Sequence, residues 1–261
     1  MRSRRRIEPH RSRATSVAKR VYKELGLAHP TEAPLETLAY VRGALVEYAS
    51  MTGSRAQLAR VGKRSVITVS AALPPEQARF AIAHELGHFE VHTSASYLGI
   101  CTGKDFVASY KNSGREGEAN SFAAELLMPE HLVSSKCDVA KVTWKVVKPI
   151  AEEFEVSLTA AAMRFIDLCP EAVALVCSHN GHIEWSSRGK DFWGWIDAGQ
   201  KLDKWSLAWD YFEKGTLSLH PETVTANAWI ANANDELELV EHSISLPSWG
   251  RVLSLLWLPP R

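Results

Sequence analysis

The stretch that decides the fold is RFAIAHELGHFEVHT, residues 79–93, in which three histidines follow one another at intervals of four. Residues four apart on an α-helix lie one above the other on the same face, so His84 and His88 can turn their rings toward one ion. Glu85 lies beside them on the flank. In this HExxH pattern the two histidines bind zinc and the glutamate serves as a general base.

His92 continues the spacing but is a poor third ligand. It lies about 12 Å from His84 along the helix axis, at 1.5 Å per residue. Ligand bonds of about 2 Å leave no common point for all three rings. Proteases that use a third histidine place a glycine shortly after the second one, whereas His88 is followed here by Phe89, Glu90 and Val91. We therefore expect His92 at the rim of the site or exposed at the helix end.

The missing ligand is expected in a second helix, GREGEANSFAAELLMPEHL, residues 114–132. A catalytic zinc takes three protein ligands and keeps one position open for water. Glu116 and Asn120 are four apart and share a face, so Glu116 is the candidate third ligand. Asn120 is then placed to hold a ligating histidine through its other ring nitrogen. We expect Glu118 and Glu125 on the opposite, solvated face.

Together these segments resemble the ImmA/IrrE family of bacterial metallopeptidases. That family has an HExxH helix followed by E-x-E-A-N-x-F-A-A-E-L-L-M-P, which here are HELGH at 84–88 and EGEANSFAAELLMP at 116–129. The resemblance covers roughly residues 15–168. It implies a zincin-like fold in which His84, His88 and Glu116 bind the metal and Glu85 is the catalytic base.

The same resemblance implies a cytoplasmic, gluzincin-like endopeptidase that uses Zn²⁺, or another divalent ion such as Mn²⁺. The expected substrate is an XRE-type helix-turn-helix repressor, whose cleavage would derepress a stress, phage, toxin–antitoxin or other mobile-element response. The alternative is a non-catalytic partner-binding or DNA-binding regulator built on the same fold. Besides the metal, the reaction needs an oxyanion stabiliser, for which His92 and Tyr110 are the candidates.

Composition restricts the partners. Lys plus Arg and Asp plus Glu are both 30, so the overall charge favours no polyanionic partner. The arginine cluster RSRRRIEPHRSR at 2–13 lacks the apolar core of a signal peptide. We expect residues 1–13 to form a basic, solvated tail, with direct nucleic-acid binding unlikely. Because the sequence has no apolar stretch of about 18 residues, we expect no membrane span. The sequence does not determine the oligomeric state.

The four cysteines do not indicate a metal ribbon or a disulfide framework. Cys101, Cys137, Cys169 and Cys177 are scattered without a CxxC pair. Free thiols in a reducing cytoplasm are the simplest account of them. Cys101 is the nearest to the site in sequence, and proximity is the only argument for giving it a role there.

The fold class predicted is α+β, with a peptidase domain over residues 14–169. Strands rich in Val and Ile are expected at 44–48 and 64–70, ahead of the HExxH helix. An edge strand can accept an extended peptide by backbone pairing. The candidate substrate edge consists of Ser65, Val66, Ile67, Thr68 and Val69. The segment 148–168 resembles a helix-turn-helix, but its acidic surface favours packing over DNA contact.

Residues 170–261 are predicted to form a second α+β domain of unknown role. Eight of the nine tryptophans lie between Trp185 and Trp257. Asn180–Gly181 between two apolar runs predicts a hairpin, and residues 202–212 predict an amphipathic helix. Three further strands complete a small antiparallel sheet. We expect most of the tryptophans in its core, because each buries a large area.

Overall fold

The computed structural model describes residues 9–61, 64–92, 96–101, 114–234 and 236–260. Within these ranges the α-helices are α1 (Pro9–Glu24), α2 (Leu35–Arg42), α3 (Pro75–Val91), α4 (Arg115–Leu127), α5 (Glu130–Cys137), α6 (Trp144–Glu153), α7 (Leu158–Leu168) and α8 (Leu207–Lys214). The strands are β1 (Ala44–Ala49), β2 (Ala56–Val61), β3 (Arg64–Ser70), β4 (Ser96–Cys101), β5 (Ala172–His179), β6 (His182–Arg188), β7 (Glu222–Thr225), β8 (Glu238–Leu246) and β9 (Arg251–Leu258). No described helix is long and apolar enough to cross a bilayer.

The chain divides into two compact units. The first runs to Leu132 and includes Ala151–Ser157, and the second takes Val133–Ile150 and everything from Leu158 onward. The boundary predicted at residues 169–170 therefore lies inside the second unit. The physical reason is that α7 packs against β5 and β6, so this helix shares a core with the C-terminal sheet.

The first unit contains a four-stranded sheet with the order β1-β3-β2-β4. β3 pairs in parallel with β1 and antiparallel with β2. The prediction that Ser65, Val66, Ile67, Thr68 and Val69 form a substrate edge is therefore wrong, because the backbone of β3 is paired on both sides. Among the described residues, the edges of this sheet are β1 and β4.

The HExxH helix α3 lies against this sheet, where it contacts β2 and β3, and on its other side it packs against α4. It begins at Pro75, in the first-turn position that suits proline. The approach to α4 is close: a Cβ on Gly87 would lie 3.0 Å from both the Cα and the carbonyl oxygen of Ala119. This glycine therefore allows the two helices that carry the predicted ligands to meet.

The first helix is longer than the sequence predicts. α1 begins at Pro9, within the segment 1–13 that we expected to be a solvated tail. From α1, Arg13 Nη2 donates a hydrogen bond to the carbonyl oxygen of Val91 at 3.2 Å. Residues 1–8 lie outside the described residues.

The second unit contains a five-stranded antiparallel sheet with the order β6-β5-β9-β8-β7. Asn180 and Gly181, at φ +49° and +74°, join β5 to β6, so the predicted hairpin is confirmed. Positive φ at both central residues is the backbone of a type I′ turn, which matches the strand twist. The predicted amphipathic helix is shorter than expected, because Ser206 caps α8 by accepting a hydrogen bond from the backbone N–H of Trp209.

The tryptophans of this unit do not all enter its core. Trp229 is 1% exposed, but Trp193, Trp195, Trp205 and Trp249 are 60%, 61%, 66% and 48% exposed. The segment around Trp193 alternates like a strand, with Phe192 and Ile196 turned inward. The expectation of mainly buried tryptophans is wrong at these four positions. Arg188 stacks on Trp195, with its guanidinium carbon 4.3 Å from the ring centroid.

Candidate metal centre

Two imidazole rings from successive turns of α3 face each other in the first unit. His84 and His88 are both 0% exposed, and their Nε2 atoms lie 3.1 Å apart. The ring centroids are separated by 4.8 Å and the planes meet at 79°. The i, i+4 spacing of the motif therefore brings two nitrogen lone pairs to one point, as the sequence predicts for a metal site.

Glu116 completes the group from α4. Its Oε2 lies 3.1 Å from His84 Nε2 and its Oε1 lies 3.3 Å from His88 Nε2. The three side chains offer ligand atoms that all lie within 4.8 Å of one another. Tetrahedral zinc with bonds of about 2.0–2.1 Å holds its ligand atoms roughly 3.4 Å apart. The distances observed are therefore those of one face of such a tetrahedron, and the residues fit a metal ion.

The hydrogen-bonding capacity of these atoms indicates that a cation belongs between them. Asn120 Oδ1 lies 2.7 Å from His84 Nδ1. An amide oxygen can only accept a hydrogen bond, so the proton of a neutral His84 lies on Nδ1 and its Nε2 presents a lone pair. That lone pair points into a space shared with the carboxylate of Glu116. Acceptors this close repel one another unless a cation lies between them.

The pKa values agree with this arrangement. The ring nitrogens of His84 and then of His88, which donate to Glu116 whenever they carry a proton on Nε2, hold the pKa of this carboxyl far below its usual range. Burial lowers the pKa of His88 below that of a solvated histidine. Near neutral pH the carboxylate is therefore ionised and His88 is neutral, which are the protonation states that bind a metal. A proton and a metal ion compete for the same position.

Glu85, the predicted base, is fully buried on α3 immediately after His84. One residue along a helix is a rotation of about 100°, which places its side chain beside the ligand face and not on it. Asn120, the predicted outer partner, is 1% exposed and contacts the Nδ1 atom of His84 at 2.7 Å. The structure thus places Glu85 and Asn120 in the buried surroundings of His84 and His88, with Glu116 partly exposed at the same site.

Of the two places expected for His92, the rim of the site and the exposed end of the helix, the structure excludes the second. Its side chain is 8% exposed, and its Nδ1 lies 3.1 Å from His88 Nδ1. Its Nε2 lies 2.8 Å from Glu118 Oε2. His92 is therefore an outer partner of His88, directed away from the ligand atoms. The expectation that it lies exposed at the helix end is wrong.

The solvated face predicted for α4 is also wrong. Glu118 is 7% exposed and Glu125 is 2% exposed. The reason is that α4 packs against both α3 and α1, so both flanks of the helix are covered. Sequence reasoning missed the link between Glu118 and His92, although His92 repeats the i, i+4 interval of the two ligands. That repeat is the signal that could have indicated a third histidine in contact with the second.

Two of the remaining residues singled out from the sequence are not described by the structure. Tyr110 and the side chain of Cys101 lie outside what the structure describes. Cys137, Cys169 and Cys177 are buried free thiols. Burial raises the pKa of Cys137 to about 12, that of Cys169 to about 11 and that of Cys177 to about 12. These three are therefore protonated and unreactive near neutral pH.

Comparison with known proteins identifies the class of domain that carries this site. The model of the Peptidase_M78 family, the IrrE N-terminal-like domain, matches residues 41–165. The radiation response metalloprotease IrrE of Deinococcus radiodurans is 28% identical over 120 residues, which cover 42% of this chain and 34% of that protein. Residues 41–165 belong to the IrrE N-terminal-like family, and the resemblance to the ImmA/IrrE family is confirmed.

The chain spans about a third of the length of this curated relative. A solved structure described as a Mycobacterium tuberculosis transcriptional regulator matches 94% of this chain and 75% of its own, with a TM-score of 0.59 and 15% identity. At that identity the likeness establishes a shared fold alone. Because the match covers nearly the whole chain, the shared fold extends past the IrrE-like domain into the C-terminal sheet.

Proposed function

We propose that this protein is a zinc-dependent endopeptidase. The observation that carries the proposal is the group formed by His84, His88 and Glu116, whose facing atoms lie 3.1–3.3 Å apart around one point. Glu85 lies fully buried beside it. Two nitrogen ligands and one carboxylate are the donor set of catalytic zinc sites. Mn²⁺, at the weak end of the order of first-row divalent ions, would bind the same donors less tightly than zinc.

In this proposal each residue of the site has a separate task. Zinc bound by His84, His88 and Glu116 would supply Lewis-acid chemistry, which acidifies water and polarises a peptide carbonyl. Glu85 accepts the proton of the attacking water and passes it to the leaving amine. Asn120 keeps the ring of His84 in the tautomer that presents Nε2. Burial of Glu85 and both histidines keeps bulk water from competing for these contacts.

For the substrate we propose a helix-turn-helix repressor, as the resemblance to the ImmA/IrrE family implies. An extended substrate segment pairs with an edge strand. Since β3 is internal to its sheet, the edges available among the described residues are β1 and β4. Limited cleavage of one regulator would give the protein a role in transcriptional control without direct contact with DNA.

Glu85→Gln tests the reaction, because it preserves the shape of the side chain and removes the base. We expect cleavage of a co-expressed repressor to fall by about 10²-fold or more, with metal content, melting temperature and repressor binding unchanged. Mass analysis of the fragments would measure the loss. Glu76→Gln is the matched control, because Glu76 lies on the same helix but is exposed.

Two other outcomes would change the assignment. Cleavage by Glu85→Gln at the wild-type rate would exclude Glu85 as the base. If wild-type protein binds the repressor without cutting it, the protein is instead a non-catalytic partner-binding module. A salt-dependent affinity for DNA, which follows from phosphate contacts, would favour the alternative of a DNA-binding regulator.

A further inference from the structure

The two histidines of the candidate metal centre have unlike partners behind them. His84 Nδ1 lies 2.7 Å from Asn120 Oδ1, which belongs to a neutral amide. His88 Nδ1 lies 3.1 Å from His92 Nδ1, and His92 Nε2 lies 2.8 Å from Glu118 Oε2. One ligand is therefore held by a dipole, whereas the other is connected through a second ring to a carboxylate.

The positions of the protons in this chain follow from the site itself. His88 Nε2 faces Glu116 and His84, so it is the atom that would bind the metal and the proton of the neutral ring lies on Nδ1. That N–H donates to Nδ1 of His92, which must then carry its own proton on Nε2. The second N–H donates to Glu118. Each ring has one donor and one acceptor, and the sequence of hydrogen bonds ends on an anion.

The surroundings strengthen these hydrogen bonds. The side chains of His92 and Glu118 are each 8% exposed, and hydrogen bonds to charged groups in a buried setting are stronger than those in water. Glu118 lies two residues after Glu116 on α4, while His88 and His92 lie on and just after α3. The contact therefore links the same two helices that supply the metal ligands.

We propose that His92 and Glu118 are positioning residues that act on the metal through His88. His92 fixes the tautomer and orientation of the His88 ring, and the charge of Glu118, transmitted through His92, makes His88 a stronger electron donor to the ion. The proposal rests on the proposed metal site and adds a charged outer partner to it. The alternative is a purely structural role, in which His92 ends α3 and the contact between His92 and Glu118 only holds the two helices together.

Zinc affinity separates these alternatives without any measurement of cleavage. Full-length protein would be stripped of metal and titrated with zinc against a chromophoric chelator. We expect His92→Phe and Glu118→Gln to weaken zinc binding by about 10- to 100-fold, with Glu118→Gln at the lower end, as outer partners of ligands do. Glu125→Gln is the matched control, because Glu125 is an equally buried glutamate on the same helix. Its affinity should remain that of the wild type.

The double variant gives the sharper result. If Glu118 acts through His92, removing His92 disconnects it, so His92→Phe with Glu118→Gln should bind zinc no more weakly than His92→Phe alone. The visible spectrum of the cobalt-loaded protein should shift in both single variants and not in Glu125→Gln, because the ligand field at His88 changes. A merely structural role would leave that spectrum unchanged.

Three outcomes would overturn the inference. Zinc affinities that fall independently, so that the double variant loses the product of both effects, would show that Glu118 does not act through His92. If metal-free His92→Phe unfolds at a lower temperature than the wild type, Glu118→Gln becomes the deciding variant. A zinc affinity of Glu118→Gln within twofold of the wild type would then exclude any action of Glu118 on the metal through His92. Wild-type protein that takes up no metal would refute the metal centre itself, and this inference with it.

Discussion

Each unit of the protein contains a carboxylate surrounded by polar groups, and the two clusters differ in kind. In the second unit, Glu241 is 0% exposed and accepts four hydrogen bonds. These come from the backbone N–H groups of Leu207 and Ala208 and from the side chains of Trp229 and Ser243, at 2.7–3.0 Å. At Glu116 in the first unit, the facing atoms are ring nitrogens that can serve as acceptors.

The direction of the hydrogen bonds distinguishes a structural cluster from a functional one. The donors around Glu241 satisfy its carboxylate oxygens, so that cluster is complete as it stands and stabilises the fold by joining β8 to the start of α8. The acceptors around Glu116 converge on a point that needs a cation. Burial alone does not separate the two cases, since His84 and Glu241 are both fully buried. What separates them is whether the groups around the carboxylate donate hydrogen bonds or can accept them.

The largest effect that this comparison predicts is on metal content. Glu116→Ala, like His84→Ala or His88→Ala, removes one of three ligands, and bound zinc should fall well below one per chain when it is measured by elemental analysis. Glu241→Ala should leave the zinc content of the folded protein near that of the wild type. Equal loss of zinc in the two variants would remove the distinction between the clusters.

The next largest effect is on stability, and here Glu241→Ala should be more damaging than Glu116→Ala. Glu241→Ala leaves at least three buried donors without their acceptor, at a cost of roughly 1–3 kcal/mol per unsatisfied group. The free energy of unfolding of the second unit should therefore fall by about 3–9 kcal/mol. Urea denaturation followed by tryptophan fluorescence would measure it. Glu116→Ala should change the stability of the metal-free protein much less, because its carboxylate is 37% exposed. A larger loss in Glu116→Ala would contradict the comparison.

Gly87 tests whether the distance between the helices is what brings the acceptors together. A Cβ at this position would lie 3.0 Å from the backbone of Ala119 and 3.2 Å from Phe122 Cβ. Gly87→Ala should therefore push α4 away and cost about 1–3 kcal/mol of stability, the usual range for overpacking. Zinc affinity should fall with it, because Glu116 moves with α4. An unchanged affinity would mean that the ligands do not depend on this contact.

The smallest effect is expected at an exposed carboxylate, where water can replace a lost partner. Arg251 donates two hydrogen bonds to Glu184, from Nε at 2.5 Å and Nη2 at 2.8 Å, and these lower the pKa of Glu184. Both side chains are about a third exposed. Glu184→Gln should therefore reduce the free energy of unfolding by less than about 1 kcal/mol at pH 7.

The pH dependence of that difference gives a second check. The folded pKa of Glu184 lies below the unfolded value of about 4.3. The ion pair therefore contributes its full stability above that pH and loses it as the pH falls through the folded pKa. The wild-type protein and Glu184→Gln should converge in stability in acid. A difference that grows as the pH falls would contradict the sign of the shift.

Much of the candidate site was predictable because its signals are local. The i, i+4 interval of His84 and His88 and that of Glu116 and Asn120 each lie within one helix, where spacing determines which side chains share a face. The Asn180–Gly181 turn is local for the same reason. The strand at 64–70 was predicted correctly, but its position in the sheet was not, because the order of strands depends on partners distant in sequence.

By itself, then, the sequence determined which residues have the chemistry of a metal site and on which helices they lie. The contacts that the ligands make on the side away from the metal depend on the tertiary structure. His92 and Glu118 are 26 residues apart, and they meet because Gly87 lets α3 and α4 approach closely. Glu241 and Leu207, the first residue of α8, are 34 residues apart. Such contacts depend on how helices and strands pack, and a pattern read along a single segment carries no information about its distant neighbours.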